Sequence, residues 1–149
     1  MKKLLTLAAA LTLSGSVFAD VNVDNAYARA VAPGQQNSAA FLTLKNMSAE
    51  NVALVSAESS VASTVELHSH AHGEDGVMRM RRIPQISMFG KEMVELKPGG
   101  FHIMLIGLKQ NLKVGEQIDL KLNFSDDSSQ ELSIPVKQVM AAMGKKHSH

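Results

Sequence analysis

The chain has 149 residues with a formal net charge of +1, from 15 basic and 14 acidic residues, and it contains no cysteine. This near-neutral balance gives no support to a nucleic-acid or anionic-membrane surface. The lack of cysteine excludes disulfides, thiol redox chemistry and every copper electron-transfer site that needs a thiolate ligand.

The first 19 residues have the pattern of a secretory signal peptide. Lys2 and Lys3 precede an apolar stretch over residues 4–13, and a small-residue cleavage motif ends before Asp20. About ten apolar residues are too few to cross a bilayer, which needs roughly 20. We therefore expect a cleaved signal peptide over residues 1–19 and export to the periplasm. We expect no lipid or membrane anchor, because no cysteine lies near the cleavage point.

The mature chain reads as a series of short β-strands with an alternating apolar pattern and no convincing amphipathic helix. Turns rich in Gly, Pro, Asn and Ser separate these strands. The sequence therefore predicts an all-β, Greek-key β-sandwich, a single domain over residues 20–138, followed by a Met- and His-containing tail over residues 139–149. The predicted strand segments are 41–44, 52–55, 64–67, 93–96, 118–122 and 132–136, together with the donor-bearing segments 77–80 and 101–105.

Histidine and methionine are concentrated in two segments, ELHSHAHGEDGVMRMR (residues 66–81) and KPGGFHIML (residues 97–105). Thioether sulfur is a soft ligand that suits Cu(I), whereas imidazole suits copper, zinc, nickel and iron. A site that combines both without a thiolate favours monovalent copper.

Strand alternation sorts the donors of the second segment. Phe101, Ile103 and Leu105 share one face of a strand, and His102 and Met104 share the other. The apolar trio is the natural core face. The spacing therefore predicts that the imidazole and the thioether point together, away from the core.

Four stretches of this chain resemble the PCuAC family of periplasmic copper chaperones. They are RAVAPGQQNSAAFLTLKN, VELH, GVMRMR and LKPGGFHIMLIGLK, and the resemblance covers residues 21–137. It implies a cupredoxin-like sandwich that binds Cu(I) through a His, a Met and a His-x-Met pair. In this sequence those ligands fall on His68, Met80, His102 and Met104.

The spacing leaves two alternatives open. Met80 and His102 enclose 21 residues, as the family pattern requires, but His68 and Met80 enclose 11, one more than the pattern has. Met78 is therefore a rival of Met80, and His70 is a rival of His68. We favour His68 for its VELH context and Met80 for its downstream spacing.

A second, auxiliary metal site is also predicted. His70 and His72 are expected in a flexible loop, and His147 and His149 end the tail. Mobile imidazoles suit Cu(II), which prefers nitrogen and oxygen donors. We expect these four histidines to capture Cu(II).

The resemblance implies delivery of Cu(I) to the CuA centre of cytochrome c oxidase subunit II, directly or alongside another copper chaperone. We expect a monomer. We also expect no enzymatic activity, because the chain has no Ser/His/Asp order and no HExxH motif.

Two other functions compete with this interpretation. A copper-buffering or resistance protein would bind several copper ions and have no client. A zinc or nickel module built on His68, His70, His72 and His102 would leave the methionines unused.

Overall fold

The structure, a computed structural model, describes residues 20–139. The predicted signal peptide therefore lies outside the described residues, as does the tail beyond Val139. The described residues form ten strands and include no helix that could cross a membrane. The strands are β1 (Val21–Arg29), β2 (Asn37–Asn46), β3 (Val52–Glu58), β4 (Ala62–His72), β5 (Met78–Arg82), β6 (Ile86–Met88), β7 (Met93–Leu96), β8 (His102–Leu108), β9 (Gln117–Phe124) and β10 (Ser129–Lys137).

The strands form the two layers of a β-sandwich, which confirms the predicted fold class. One layer has the order β5-β4-β8-β2-β1, with β7 paired to the second half of β2. The other has the order β10-β9-β3-β6. The parallel pairing of β1 with β10, at Ala28 opposite Val136, joins the layers at one edge.

The core lies between the two layers and is built mainly from alternate residues of the strands other than β5, whose residues are all exposed. Leu42 and Leu44 of β2 and Ile103 and Leu105 of β8 are almost fully buried there. Burying each such side chain contributes about 1.5–3 kcal/mol. A shift of one residue in either strand would turn these side chains away from the core, so the core fixes the register.

Two strands were not predicted, and each has a local reason. The alternation of β1 is broken between Asp24 and Tyr27, where the register shifts and Asn25 adopts a φ of 53°. Strand β6 has only three residues, too few for a period of two to be recognised.

Candidate metal centre

Strands β8, β4 and β5 are neighbours, and their register brings the predicted donors together. His102 of β8 lies directly opposite His68 of β4. His70, two residues further along β4, lies opposite Met80 of β5. Directly opposed residues in antiparallel strands have Cβ atoms about 4.5–5.5 Å apart. Side chains from positions up to 34 residues apart therefore meet on one face of the sheet.

Three imidazoles form the centre of this face. The ring centroid of His102 lies 5.3 Å from that of His70 and 5.7 Å from that of His68. The ring of Phe41 lies on the other side of His102, with centroids 6.3 Å apart. The His102 ring is therefore enclosed by three aromatic rings rather than by water.

His102 is 3% exposed, and its hydrogen bond defines its protonation. Its Nδ1 lies 3.1 Å from the carbonyl oxygen of Gly100. A carbonyl can only accept, so Nδ1 carries the proton and donates it. Nε2 then holds a lone pair, is buried and has no hydrogen-bond partner. Burial lowers the pKa of His102 below 6.5, and the nearby His70 and His68 lower it further.

His68 is oriented by a carboxylate on its own strand. Its Nε2–H donates to Oε2 of Glu66 at 2.7 Å. The other oxygen of Glu66 lies 3.8 Å from Nε of Arg82. Nδ1 of His68 is buried without a partner, and so is Nδ1 of His70. An unsatisfied buried polar atom costs about 1–3 kcal/mol, a penalty that a bound metal ion would relieve.

Both methionines predicted as ligands line one pocket of about 150 Å³, together with His70 and His102. Met80 is 45% exposed at the rim, and Met104 is half-buried. The remaining lining residues are Arg29, Val31, Gln35, Asn37, Ser38, Ala39, Phe41, Pro98 and Gly99. The pocket therefore combines two imidazoles and two thioethers with apolar and polar neighbours, and the thioether of Met80 is accessible from solvent.

The residues that the sequence left as alternative Cu(I) ligands, Met78 for Met80 and His70 for His68, occupy different positions. Met78 is 46% exposed, lies opposite His72 and does not line the pocket. The structure therefore brings Met80, and not Met78, to the donor cluster. His70 lines the pocket, whereas His68 contacts the cluster from the side of Glu66.

Only two of the four predicted auxiliary histidines lie among the described residues. His70 and His72 do not lie in a flexible loop, because β4 continues through His72 and pairs with β5. The cross-strand hydrogen bonds to β5 order this segment, and the turn follows at residues 73–77. His147 and His149 lie outside the described residues.

Within residues 20–139, no three His, Cys, Asp or Glu side chains are placed to hold a metal ion together. The zinc or nickel module predicted as an alternative needs such a set.

Sequence reasoning missed the contribution of Phe41 and Gly100. Phe41 was predicted in a strand, but its position out of phase with Leu42 and Leu44 already indicated the face that carries the donors. Gly100 acts through its carbonyl group, which leaves no signal in a sequence.

Solved structures with the same fold include a PCuAC domain and a second copper-bound protein. The copper-bound PCuAC domain from PmoF2 matches with a TM-score of 0.69 and 17% identity over 83% of this chain and 97% of that domain. The solution structure of CuI-DR1885 from Deinococcus radiodurans matches with a TM-score of 0.62 and 32% identity, over 78% of this chain and 76% of that one. The chain is therefore a PCuAC-type β-sandwich, and the resemblance identified from the sequence is confirmed.

Sequence comparisons also assign this chain to a protein family. A family model described as "Putative lipoprotein LpqE-like" matches residues 21–136. The "Putative lipoprotein Lxx21020" of Leifsonia xyli subsp. xyli is 36% identical over 127 residues, which are 82% of this chain and 72% of that protein. The chain belongs to the LpqE-like family.

Proposed function

We propose that this protein is a periplasmic copper chaperone that binds one Cu(I) through His68, Met80, His102 and Met104. One observation carries the proposal: buried, unpartnered nitrogen atoms of His68 and His102 lie beside a pocket that also presents two thioethers. This donor set is soft and uncharged, which suits Cu(I) better than Zn²⁺ or Cu(II). The similarity to CuI-DR1885 supports the same cargo.

The donor set also suits release of the ion. Thioether sulfur has no proton to lose or regain, so a methionine ligand can leave and return without a change of pH. The buried Nε2 of His102 is held as a free base by its bond to Gly100. Met80 at the rim is the ligand that a partner's donor could replace first. Stepwise replacement of this kind is transport, and no enzymatic step is proposed.

We propose the CuA centre of cytochrome c oxidase subunit II as the recipient, directly or through another copper chaperone. The resemblance to the PCuAC family supports this client, and a cleaved signal peptide over residues 1–19 would place the monomeric protein in the periplasm. Incubating the Cu(I)-loaded protein with an apo CuA domain should transfer copper to that domain. One-electron oxidation of the separated domain with ferricyanide should then produce the CuA absorption bands. A buffering protein would instead retain its copper and bind several ions per chain.

We propose that His72, together with His147 and His149 of the tail, captures Cu(II), with His70 as a further imidazole. Deleting residues 139–149 should lower the Cu(II) stoichiometry while Cu(I) binding stays unchanged. Unchanged Cu(II) stoichiometry and affinity would refute the auxiliary site.

Anaerobic Cu(I) competition titration tests the main site. The protein from Asp20 onward should bind one Cu(I) per chain. A Met80→Leu/Met104→Leu variant, which keeps the apolar volume but removes both sulfur atoms, should lose most of that affinity. Unchanged Cu(I) binding in the variant, or tighter binding of Zn²⁺ than of Cu(I), would refute the copper-chaperone function.

A further inference from the structure

The donor cluster contains one imidazole more than the four ligands assigned to Cu(I). His68 and His70 alternate with Ser69 on β4, so both side chains point to the face that carries His102. Their rings lie at similar centroid distances from that of His102, 5.7 and 5.3 Å. Either ring could supply the imidazole that β4 contributes.

The two rings differ in their surroundings. His70 lines the pocket and lies directly opposite Met80, the solvent-accessible thioether. His68 lies opposite His102 and is hydrogen-bonded to Glu66. His68 therefore occupies the inner position along β4, and His70 occupies the position next to the rim.

Both rings present the same unused atom. Nδ1 of His68 and Nδ1 of His70 are each buried and have no hydrogen-bond partner. Native structures leave few buried polar atoms unsatisfied, so two on neighbouring positions of one strand indicate a shared ligand. A copper ion bound to Met80, His102 and Met104 needs one more donor to complete four bonds. It can therefore bind only one of the two Nδ1 atoms at a time.

We infer that His68 and His70 are exchangeable donors to the same Cu(I) ion, with His70 the donor from which copper leaves. The inference rests on the copper-binding function proposed above. In the exchange, a bond from copper to Nδ1 of His70 forms as the bond to Nδ1 of His68 breaks. Copper stays Cu(I), and no proton moves if each ring carries its proton on Nε2. The exchange shifts the ion two residues along β4, toward the rim of the pocket, where an incoming partner would meet it.

Affinity measurements on four variants test the exchange. His68→Ala and His70→Ala should each bind Cu(I) within about tenfold of the unchanged protein, because the remaining imidazole substitutes for the lost one. The double variant should lose at least about a hundredfold. Thr64→Ala is the control on the same strand and face outside the pocket, and its Cu(I) affinity should not change. Gln at each position replaces Ala if an alanine variant does not fold.

The rate of Cu(I) release distinguishes the exchange from a purely structural role of His70, which would not change that rate. Transfer of Cu(I) from the His70→Ala variant to the chelator bathocuproine should be several times slower than from the unchanged protein, at nearly equal affinity. If His68→Ala alone matches the double variant and His70→Ala is unchanged in affinity and rate, the exchange is refuted while the copper site stands. If the unchanged protein does not bind Cu(I), both proposals fail.

Discussion

Glu66 and His68 lie two residues apart on one face of β4, and the imidazole donates from Nε2 to the carboxylate at 2.7 Å. This bond fixes the ring orientation and the tautomer, so Nδ1 is the atom directed to a metal ion. Carboxylates that hold a ligand imidazole in this way also increase its basicity. A residue that never contacts copper can therefore determine how well copper binds.

Replacing Glu66 should weaken Cu(I) binding. Glu66→Ala removes the acceptor of the His68 bond, and we expect Cu(I) affinity to fall by up to about tenfold, no further than in His68→Ala. Glu66→Gln is the matched control, because its amide oxygen still accepts the bond, and its loss should be smaller. Competition titration gives both values, and ¹⁵N NMR of the metal-free protein should show a tautomer change at His68 only in the alanine variant.

The two methionines of β5 should differ in importance. Met80→Leu removes a sulfur atom that lines the pocket, and we expect at least about tenfold weaker Cu(I) binding, equal to about 1.4 kcal/mol. Met78→Leu is equally exposed and on the same strand, so it controls for changes in surface and stability, and its affinity should match that of the unchanged protein. The reverse ranking would assign the ligand to Met78.

His102 should titrate below 6.5 in the metal-free protein. Burial disfavours its charged form, so the pKa is lowered in the folded state relative to the unfolded chain. The unfolded chain then binds the proton first. The associated stability is complete above pH 6.5 and is lost as the pH falls through that value toward the lower folded pKa. NMR titration of the His102 ring measures this directly.

The variant Phe41→Leu tests whether burial of the ring lowers the pKa of His102. The smaller side chain admits water to the ring of His102, so the pKa of His102 should rise toward 6.5. An unchanged or lower value would mean that Phe41 does not shield the ring.

Gly107 should tolerate a side chain poorly. It has a φ of 69°, and an added Cβ would collide with the hydroxyl of Ser63, which is hydrogen-bonded to the carbonyl of Ile106. Gly34 has a φ of 87° but open space around it, so Gly34→Ala measures the backbone strain alone, about 1–2 kcal/mol. Gly107→Ala should cost about 1 kcal/mol more in the free energy of unfolding, because the Ser63 bond is lost. Urea denaturation of both variants makes the comparison, and equal losses would contradict the collision.

Much of the fold could be predicted because strand alternation is a local property. The segments 93–96 and 118–122 were recognised from their period of two, and β7 coincides with the first of them. Strand β1 was not recognised, because its bulge at Asn25 breaks the period that the prediction depends on.

The assignment of Cu(I) ligands stays a prediction, but the structure narrows it. Spacing alone could not separate Met78 from Met80, since both lie on the same face of one strand. Their cross-strand partners separate them, His72 for the first and His70 for the second. The pairing of β4 with β5 depends on where the turn at residues 73–77 reverses the chain. One inserted residue moves that point, and spacing alone does not show where the insertion lies.

The sequence by itself determined the composition of the site, thioether and imidazole without thiolate, and the fact that His102 and Met104 share a face. Both follow from residue chemistry and from the two-residue period of a single strand. Only the tertiary structure decided that His102 is buried, that Glu66 holds His68 and that His70 joins the pocket. Those facts depend on the register between β4, β5 and β8, which is set by packing of the whole core and not by any one segment.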